Sequence, residues 1–141
     1  MNIYTDGAYS QSRKRGGYAF VVQEEDKFTK KYYNVINDAT NQRTEMLAVI
    51  SAFRYLLNFK EIPNVTIITD SMYVVGTTTM GWKIGANHDL WNTYFYFYDK
   101  LKDKIEFKHV RGHQGIEGNE ICDNLAVIAS NAIKIGDIQN S

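Results

Sequence analysis

The sequence predicts an α/β protein in which helices flank a mixed five-stranded sheet. Strand-like segments open the chain, a helical pattern follows, and strands and helices then alternate. The resulting order, β-β-β-α-β-α-α-β-α, is typical of a sheet that carries helices on its faces. The 141 residues fit one domain, 1–141, with a frayed polar tail at 136–141.

The first 36 residues predict an antiparallel meander of three strands. Residues 2–9 and Gly17–Gln23 form the first two, and a basic turn that ends in glycine separates them. Phe28–Val35 forms the third. Strong β-forming residues dominate the second segment in particular.

A change of period marks the first helix. From Gln42 to about Asn58 the apolar residues recur at helical spacing, and Asn41 is a suitable N-cap. Val65–Thr69 is then a nearly all-apolar, β-branched run, which is typical of a central strand covered on both faces. Two helices are expected before the next strand, and the pattern locates the second at about Leu90–Leu101.

The last part of the chain predicts a strand, a loop and a helix. Ile105–Val110 is the strand, and a glycine-rich loop, Arg111–Gly118, follows it. The final helix runs from about Asn119 to Ile135.

Composition excludes several classes of protein. Sixteen basic residues balance sixteen acidic ones, so a polyanion must be held by a local patch or by metal ions. No apolar run approaches the ~20 residues that cross a bilayer, and the N-terminus does not resemble a signal peptide. Cys122, the one cysteine, cannot form an internal disulfide. We expect an intracellular, cytoplasmic protein that is neither secreted nor bound to membranes.

Two short segments carry the first sign of chemistry. Thr5-Asp6-Gly7 and Thr69-Asp70-Ser71 each close an apolar strand with Thr-Asp and a small residue. A single aspartate there often caps the following turn or helix. Two copies of the arrangement in one small domain favour ligands at the strand ends, where α/β sheets bind them.

Two helical acids extend this set. Helical spacing places Glu45 on the same face as Val49 and Leu56, and Asp123 on the same face as Ala126, so we expect both carboxylates to point toward the sheet. Each could instead serve the dipole at the start of its helix.

Four inward carboxylates without a matching buried cation repel one another strongly, and divalent cations remove that repulsion. Oxygen ligands select Mg²⁺ or Mn²⁺ over zinc, and no Cys/His cluster competes.

Together these motifs resemble the signature of the ribonuclease H family, of the type 1 cellular and retroviral-domain kind. The likeness spans residues 2–130 and rests on five segments in order: Thr5-Asp6-Gly7, Gln42-Arg43-Thr44-Glu45, Thr69-Asp70-Ser71, Gly112-His113-Gln114-Gly115 and Asn119-Glu120-Ile121-Cys122-Asp123.

The resemblance implies a ribonuclease H-like sheet, with three antiparallel strands and then parallel ones. It implies an endonuclease that cleaves the RNA strand of RNA/DNA hybrids and leaves 5′-phosphate and 3′-hydroxyl ends. It also implies two Mg²⁺ ions, or Mn²⁺, held by Asp6, Glu45, Asp70 and Asp123.

Further site residues follow from the same resemblance. His113, in a glycine-flanked loop, assists proton transfer or product release. Asn41, Gln42 and Arg43 contact the hybrid, and amide side chains suit a 2′-hydroxyl. Asn119 is a further substrate contact. For Asn41 and Asn119, a role as helix cap stays open.

The chain departs from the family pattern in one region. Members that bind hybrids strongly often carry a basic protrusion after the third acid. Here the corresponding segment, Tyr73–Trp91, is short, and Lys83 is its only lysine or arginine. We therefore expect weak substrate affinity, which a protein partner could supplement. We also expect a monomer. Alternatives are a DNA-processing nuclease or integrase of the same fold class, or a non-catalytic hybrid-binding module. The His-Gly loop and the four acids favour ribonuclease H.

Overall fold

Three long strands begin the fold, in agreement with the predicted meander. In this computed structural model, which describes residues 1–131, they are β1 (Asn2–Ser10), β2 (Arg15–Glu24) and β3 (Lys27–Asn37). Each strand pairs antiparallel with the next. Glu25 and Asp26 join β2 to β3 and both have positive φ, the geometry that matches the twist of a two-residue hairpin.

Helices and two further strands complete the sheet. A short 3₁₀ turn, Lys102–Lys104, precedes the last strand. The remaining elements are α1 (Asn41–Leu56), β4 (Val65–Thr69), α2 (Met72–Thr79), α3 (His88–Leu101), β5 (Ile105–His109) and α4 (Glu117–Ser130). The strand order is β3-β2-β1-β4-β5, and β4 is parallel to both of its neighbours. The predicted mixed five-stranded sheet is confirmed.

Two predicted helix starts are wrong. The N-cap of α1 is Thr40, not Asn41, because the Thr40 side chain accepts a hydrogen bond from the backbone N–H of Arg43 at 3.2 Å. Helix α4 begins at Glu117, so Asn119 lies inside its first turn and does not cap it. Residues 132–135 of the predicted final helix, and the predicted tail at 136–141, lie outside the described residues.

The expectation that Asp6 closes its strand is wrong. β1 ends at Ser10, one residue beyond the predicted strand 2–9, and Asp6 lies within it. The reason is its two neighbours: pairing with β4 stops at Thr5, whereas pairing with β2 continues along the whole strand.

Side chains alternate between two cores on opposite faces of the sheet. Ile3 and Ile67 face the larger core, which contains the apolar stripe of α1 together with Trp91 and Tyr94 of α3. Tyr4, Ile68 and their neighbours face the smaller core, which α4 covers. None of the described helices is both long enough and apolar enough to cross a membrane.

Helix α4 approaches β2 so closely that only glycine fits at Gly17. A Cβ at this position would overlap the carbonyl oxygen of Ala126 and lie 2.9 Å from the Ala129 Cβ. Because a helix backbone cannot rotate away as a side chain can, α4 would have to move. Gly85 is the opposite case, since its Cβ would meet nothing within 4 Å.

We therefore expect Gly17→Ala to lower the free energy of unfolding by about 3 kcal/mol, the upper range for an overpacked site. Gly85→Ala, the matched control, should change it by less than about 0.5 kcal/mol. Urea denaturation followed by circular dichroism measures both. Equal stability of the two variants would show that α4 does not approach β2 this closely.

Candidate active site

Parallel pairing of β1 and β4 brings two aspartates side by side. The register runs from Asn2↔Thr66 to Thr5↔Thr69, so Asp6 and Asp70 directly follow the last paired residues of the two neighbouring strands. Neighbouring strands lie about 4.8 Å apart. The shared Thr-Asp pattern therefore places two carboxylates together at one level of the sheet.

Gly7 allows the third acid to approach. A Cβ at Gly7 would overlap the hydroxyl of Thr44 and lie 2.7 Å from the backbone nitrogen of Glu45. Because Gly7 has no Cβ, the start of α1 packs directly on β1. The Gly7 N–H donates to both Asp6 Oδ1, at 2.8 Å, and Glu45 Oε1, at 3.2 Å. One backbone N–H thus holds two of the acids.

Three carboxylates converge as a result. One oxygen from each of Asp6, Glu45 and Asp70 lies within 4.8 Å of the others. Glu45 Oε2 is buried and has no hydrogen-bond partner within the described residues. Moreover, none of the described residues that are buried is a lysine or arginine.

Burial and mutual repulsion shift the pKa of each acid upward. Burial first, and then the Asp70 charge, raise the pKa of Asp6 to about 8. Burial and the charge of Asp6 raise the pKa of Glu45 well above its usual range. The pKa of Asp70 is raised by burial and by the charge of Asp123.

The group fits a hard divalent cation. The partnerless Glu45 oxygen is a free ligand atom, and crowded carboxylates lose their repulsion when a cation binds between them. Oxygen-only ligands of this kind suit Mg²⁺ or Mn²⁺.

Asp123 lies nearby but outside the trio. It is absent from the set of oxygens within 4.8 Å, yet its charge raises the pKa of Asp70 and, to a smaller extent, that of Asp6. The preceding residue anchors it: the Cys122 thiol donates to the carbonyls of Tyr4, at 3.5 Å, and Ala19, at 3.2 Å. Burial raises the pKa of this thiol and keeps it protonated.

Two histidines flank Asp70. His113 is exposed, has a φ of 60°, and its charge lowers the pKa of Asp70, as does that of His109. The neighbouring Gly112 passes so close that a Cβ there would lie 2.9 Å from Asp70 Oδ2. His109 also bonds the Asp70 backbone carbonyl through Nε2 at 3.2 Å. The sequence interpretation missed His109, whose one signal was its position at the end of a strand.

The predicted substrate contacts lie in two places. Asn41 and Gln42 are exposed in the first turn of α1, close in sequence to Glu45. The Arg43 guanidinium is bonded to both carboxylate oxygens of Asp89, at 3.0 and 2.9 Å. Asn119 is only 2 % exposed, and its Oδ1 lacks a partner among the described residues.

Comparisons with known proteins show what the whole chain resembles. The family model described as RNase H matches residues 1–131. Ribonuclease H of Trichodesmium erythraeum is 35% identical over 96% of this chain and 91% of its own length. Ribonuclease H of Desulforamulus reducens is also 35% identical, over 92% and 87%. The crystal structure of RNase H1 from Halobacterium salinarum superposes with a TM-score of 0.74, at 24% identity, over 91% of this chain and 95% of that one.

The raised pKa of Asp6 predicts the pH dependence of stability without metal. The folded state keeps a proton that the unfolded state releases above its usual pKa of 3.8, so stability falls as the pH rises toward about 8. At pH 7, Asp6→Asn should raise the free energy of unfolding by more than about 1 kcal/mol, because one pKa unit corresponds to about 1.4 kcal/mol. It should also flatten the decline.

Urea denaturation in EDTA between pH 5 and 8 measures this effect. Asp99→Asn, at an exposed position of α3, is the control for the loss of one negative charge. An Asp6→Asn variant with the slope of the unmodified protein would contradict the electrostatic account.

Proposed function

We infer that this chain, which belongs to the ribonuclease H family, is an endoribonuclease that hydrolyses the RNA strand of RNA/DNA hybrids. The observation that carries the inference is the convergence of Asp6, Glu45 and Asp70 in a chain that matches the family over residues 1–131. A non-catalytic binding module would not need a buried, mutually repelling set of carboxylates.

The cofactor is a divalent metal: two Mg²⁺ ions, or Mn²⁺, with Asp6, Glu45, Asp70 and Asp123 as ligands. The partnerless oxygen of Glu45 and the raised pKa values of the trio support this assignment. Two such ions, when bound, lower the pKa of an attacking water and stabilise the charge on the leaving oxygen. Hydrolysis of this kind leaves a 5′-phosphate and a 3′-hydroxyl.

The chain's own groups orient the reaction. The Gly7 N–H holds one oxygen each of Asp6 and Glu45, so both side chains are positioned before a metal binds. His113 lies on an exposed loop beside Asp70 and is placed to carry a proton to or from the reacting phosphate.

Substrate recognition begins at the start of α1. Asn41 and Gln42 are exposed amides one turn from Glu45, and they reach the minor groove of the hybrid, where 2′-hydroxyls are displayed. The connection from α2 to α3 spans residues 80–87 and carries Lys83 as its only Lys or Arg. The enzyme therefore binds its substrate weakly, and a protein partner can supplement that affinity; we further propose that it acts as a monomer.

Asp70→Asn should abolish cleavage, because it removes a negative ligand while it preserves side-chain shape. The assay incubates labelled RNA/DNA hybrid, double-stranded RNA and double-stranded DNA with each protein, in Mg²⁺ or in EDTA. We expect cleavage only of the hybrid and only with metal. Asp99→Asn should cleave like the unmodified protein. Full activity of Asp70→Asn would remove it from the metal site, and cleavage of double-stranded DNA would favour the DNA-processing alternative.

His113→Ala should reduce kcat by about 10²-fold, within the usual range for general acid–base assistance. Water can replace the imidazole as a proton carrier, so activity should not vanish. Titration calorimetry should show Mg²⁺ affinity unchanged, since the carboxylates remain. Loss of Mg²⁺ binding in this variant would mean that His113 is a ligand or a structural residue.

A further inference from the structure

A chain of hydrogen bonds links the start of α1 to α2 and α3. The Trp91 indole N–H donates to the Tyr73 hydroxyl at 2.9 Å, and Asn87 Nδ2 donates to the same hydroxyl at 3.1 Å. Asn87 Nδ2 also donates to Gln42 Oε1 at 3.4 Å. Arg43 Nη1 donates to Asn87 Oδ1 at 3.3 Å. Asn87 is the centre of this network, since its side chain bonds three of the other four residues and its backbone carbonyl accepts from the Trp91 backbone N–H.

Groups that can only donate hydrogen bonds determine which end of each side-chain amide in the network is the oxygen and which is the NH₂ group. A guanidinium can only donate, so the Asn87 atom that faces Arg43 must be its oxygen, and the other atom must be the NH₂ group. This NH₂ group needs acceptors, which fixes the oxygen of Gln42 toward Asn87. The Trp91 indole likewise only donates, and it holds the Tyr73 hydroxyl as an acceptor.

The backbone around Asn87 serves the same arrangement. Asn87 precedes α3 in the left-handed region, at φ 58° and ψ 35°, and its side chain forms no capping hydrogen bond with the helix. The side chain is thereby free for the network. Arg43 is held in turn by Asp89, whose pKa it lowers to about 2.

We propose that Asn87 is a positioning residue that sets the amide of Gln42, so that its Nε2 faces outward as a hydrogen-bond donor to the minor groove. Within the described residues Nε2 has no partner, and Gln42 is exposed. This inference rests on the proposed function. It reassigns Arg43, predicted as a substrate contact, to a residue that acts through Asn87.

An outward donor has a consequence for specificity. The minor-groove edge of every base pair presents acceptors, purine N3 and pyrimidine O2, and the ribose 2′-oxygen also accepts. A donor at Gln42 thus meets an acceptor whatever the sequence. An outward carbonyl would instead require a donor; the 2′-hydroxyl can supply one, but among base edges only guanine does. The network accordingly favours recognition that is independent of sequence.

A double-mutant cycle tests the proposal. Asn87→Gly keeps the left-handed backbone, which glycine adopts freely, and removes the amide. We expect it to raise KM for hybrid about 3- to 10-fold, the range for one lost hydrogen bond, with kcat within about twofold. Gln42→Ala should raise KM similarly. The double variant should match Gln42→Ala alone, because Asn87 then has nothing left to orient.

Controls separate this role from general damage. Asp26→Gly, at another left-handed position in the β2–β3 hairpin, should leave KM unchanged. Tyr73→Phe removes one acceptor of the network without a backbone change and should raise KM less than Asn87→Gly. Circular dichroism and thermal unfolding establish that each variant is folded.

The outcomes are distinct. Additive effects of Asn87→Gly and Gln42→Ala on KM would overturn the proposal, because Asn87 would then act independently. An unchanged KM in Gln42→Ala would overturn it as well, although hybrid cleavage would still support the proposed function. Absence of metal-dependent cleavage by the unmodified protein would instead contradict the proposed function itself.

Discussion

Repulsion among buried carboxylates is the constraint on which the rest of the structure depends. Asp6, Glu45 and Asp70 bring an oxygen each within 4.8 Å of the others, and the charge of Asp70 raises the pKa of both Asp6 and Glu45. Without metal, such a cluster opposes folding, so its geometry must be held by interactions elsewhere. The two apolar cores on opposite faces of the sheet supply them: α1 is fixed from one side and α4 from the other. The carboxylates therefore project from a sheet and helices that packing holds in place, and repulsion does not separate them.

Close contact between elements converts this packing into a defined site. Gly7 lets α1 rest on β1, and Gly17 lets α4 rest on β2. The Cys122 thiol ties α4 to the carbonyls of β1 and β2, one residue before Asp123. A preorganised carboxylate set of this kind binds a cation without the cost of gathering its ligands first. The favourable free energy of packing in the apolar cores thus offsets the repulsion among the carboxylates, which a bound cation would reduce.

The sequence was sufficient for the sheet and for the acid trio, because both follow from local patterns. Helical spacing turned Glu45 inward, and the repeated Thr-Asp motif aligned Asp6 with Asp70. Prediction failed in two situations: where two neighbouring residues were equally suitable for one role, and where the contact joined residues far apart in the sequence. Thr40 and Asn41 are both good caps, and only backbone geometry selects Thr40. The network around Asn87 joins residues that are 14 to 45 positions apart, so no periodicity reveals it. For the same reason His109 became visible only through its bond to the Asp70 carbonyl.

Helix α1 links chemistry to recognition through the turn that runs from Gln42 to Glu45. Glu45 faces the carboxylates and Gln42, three residues earlier, faces outward, so about 4.5 Å of helix rise separates the two. Because a helix turn is stiff, the distance from the carboxylates to the minor-groove donor is set by backbone geometry and not by flexible side chains. Gly7 fixes this turn against β1, while Asn87 and Arg43 fix its outer side against α3. Movement of the turn would therefore disturb metal ligation and groove contact together. A small enzyme with zero net charge, which gains little from long-range attraction to phosphates, depends on such short-range alignment.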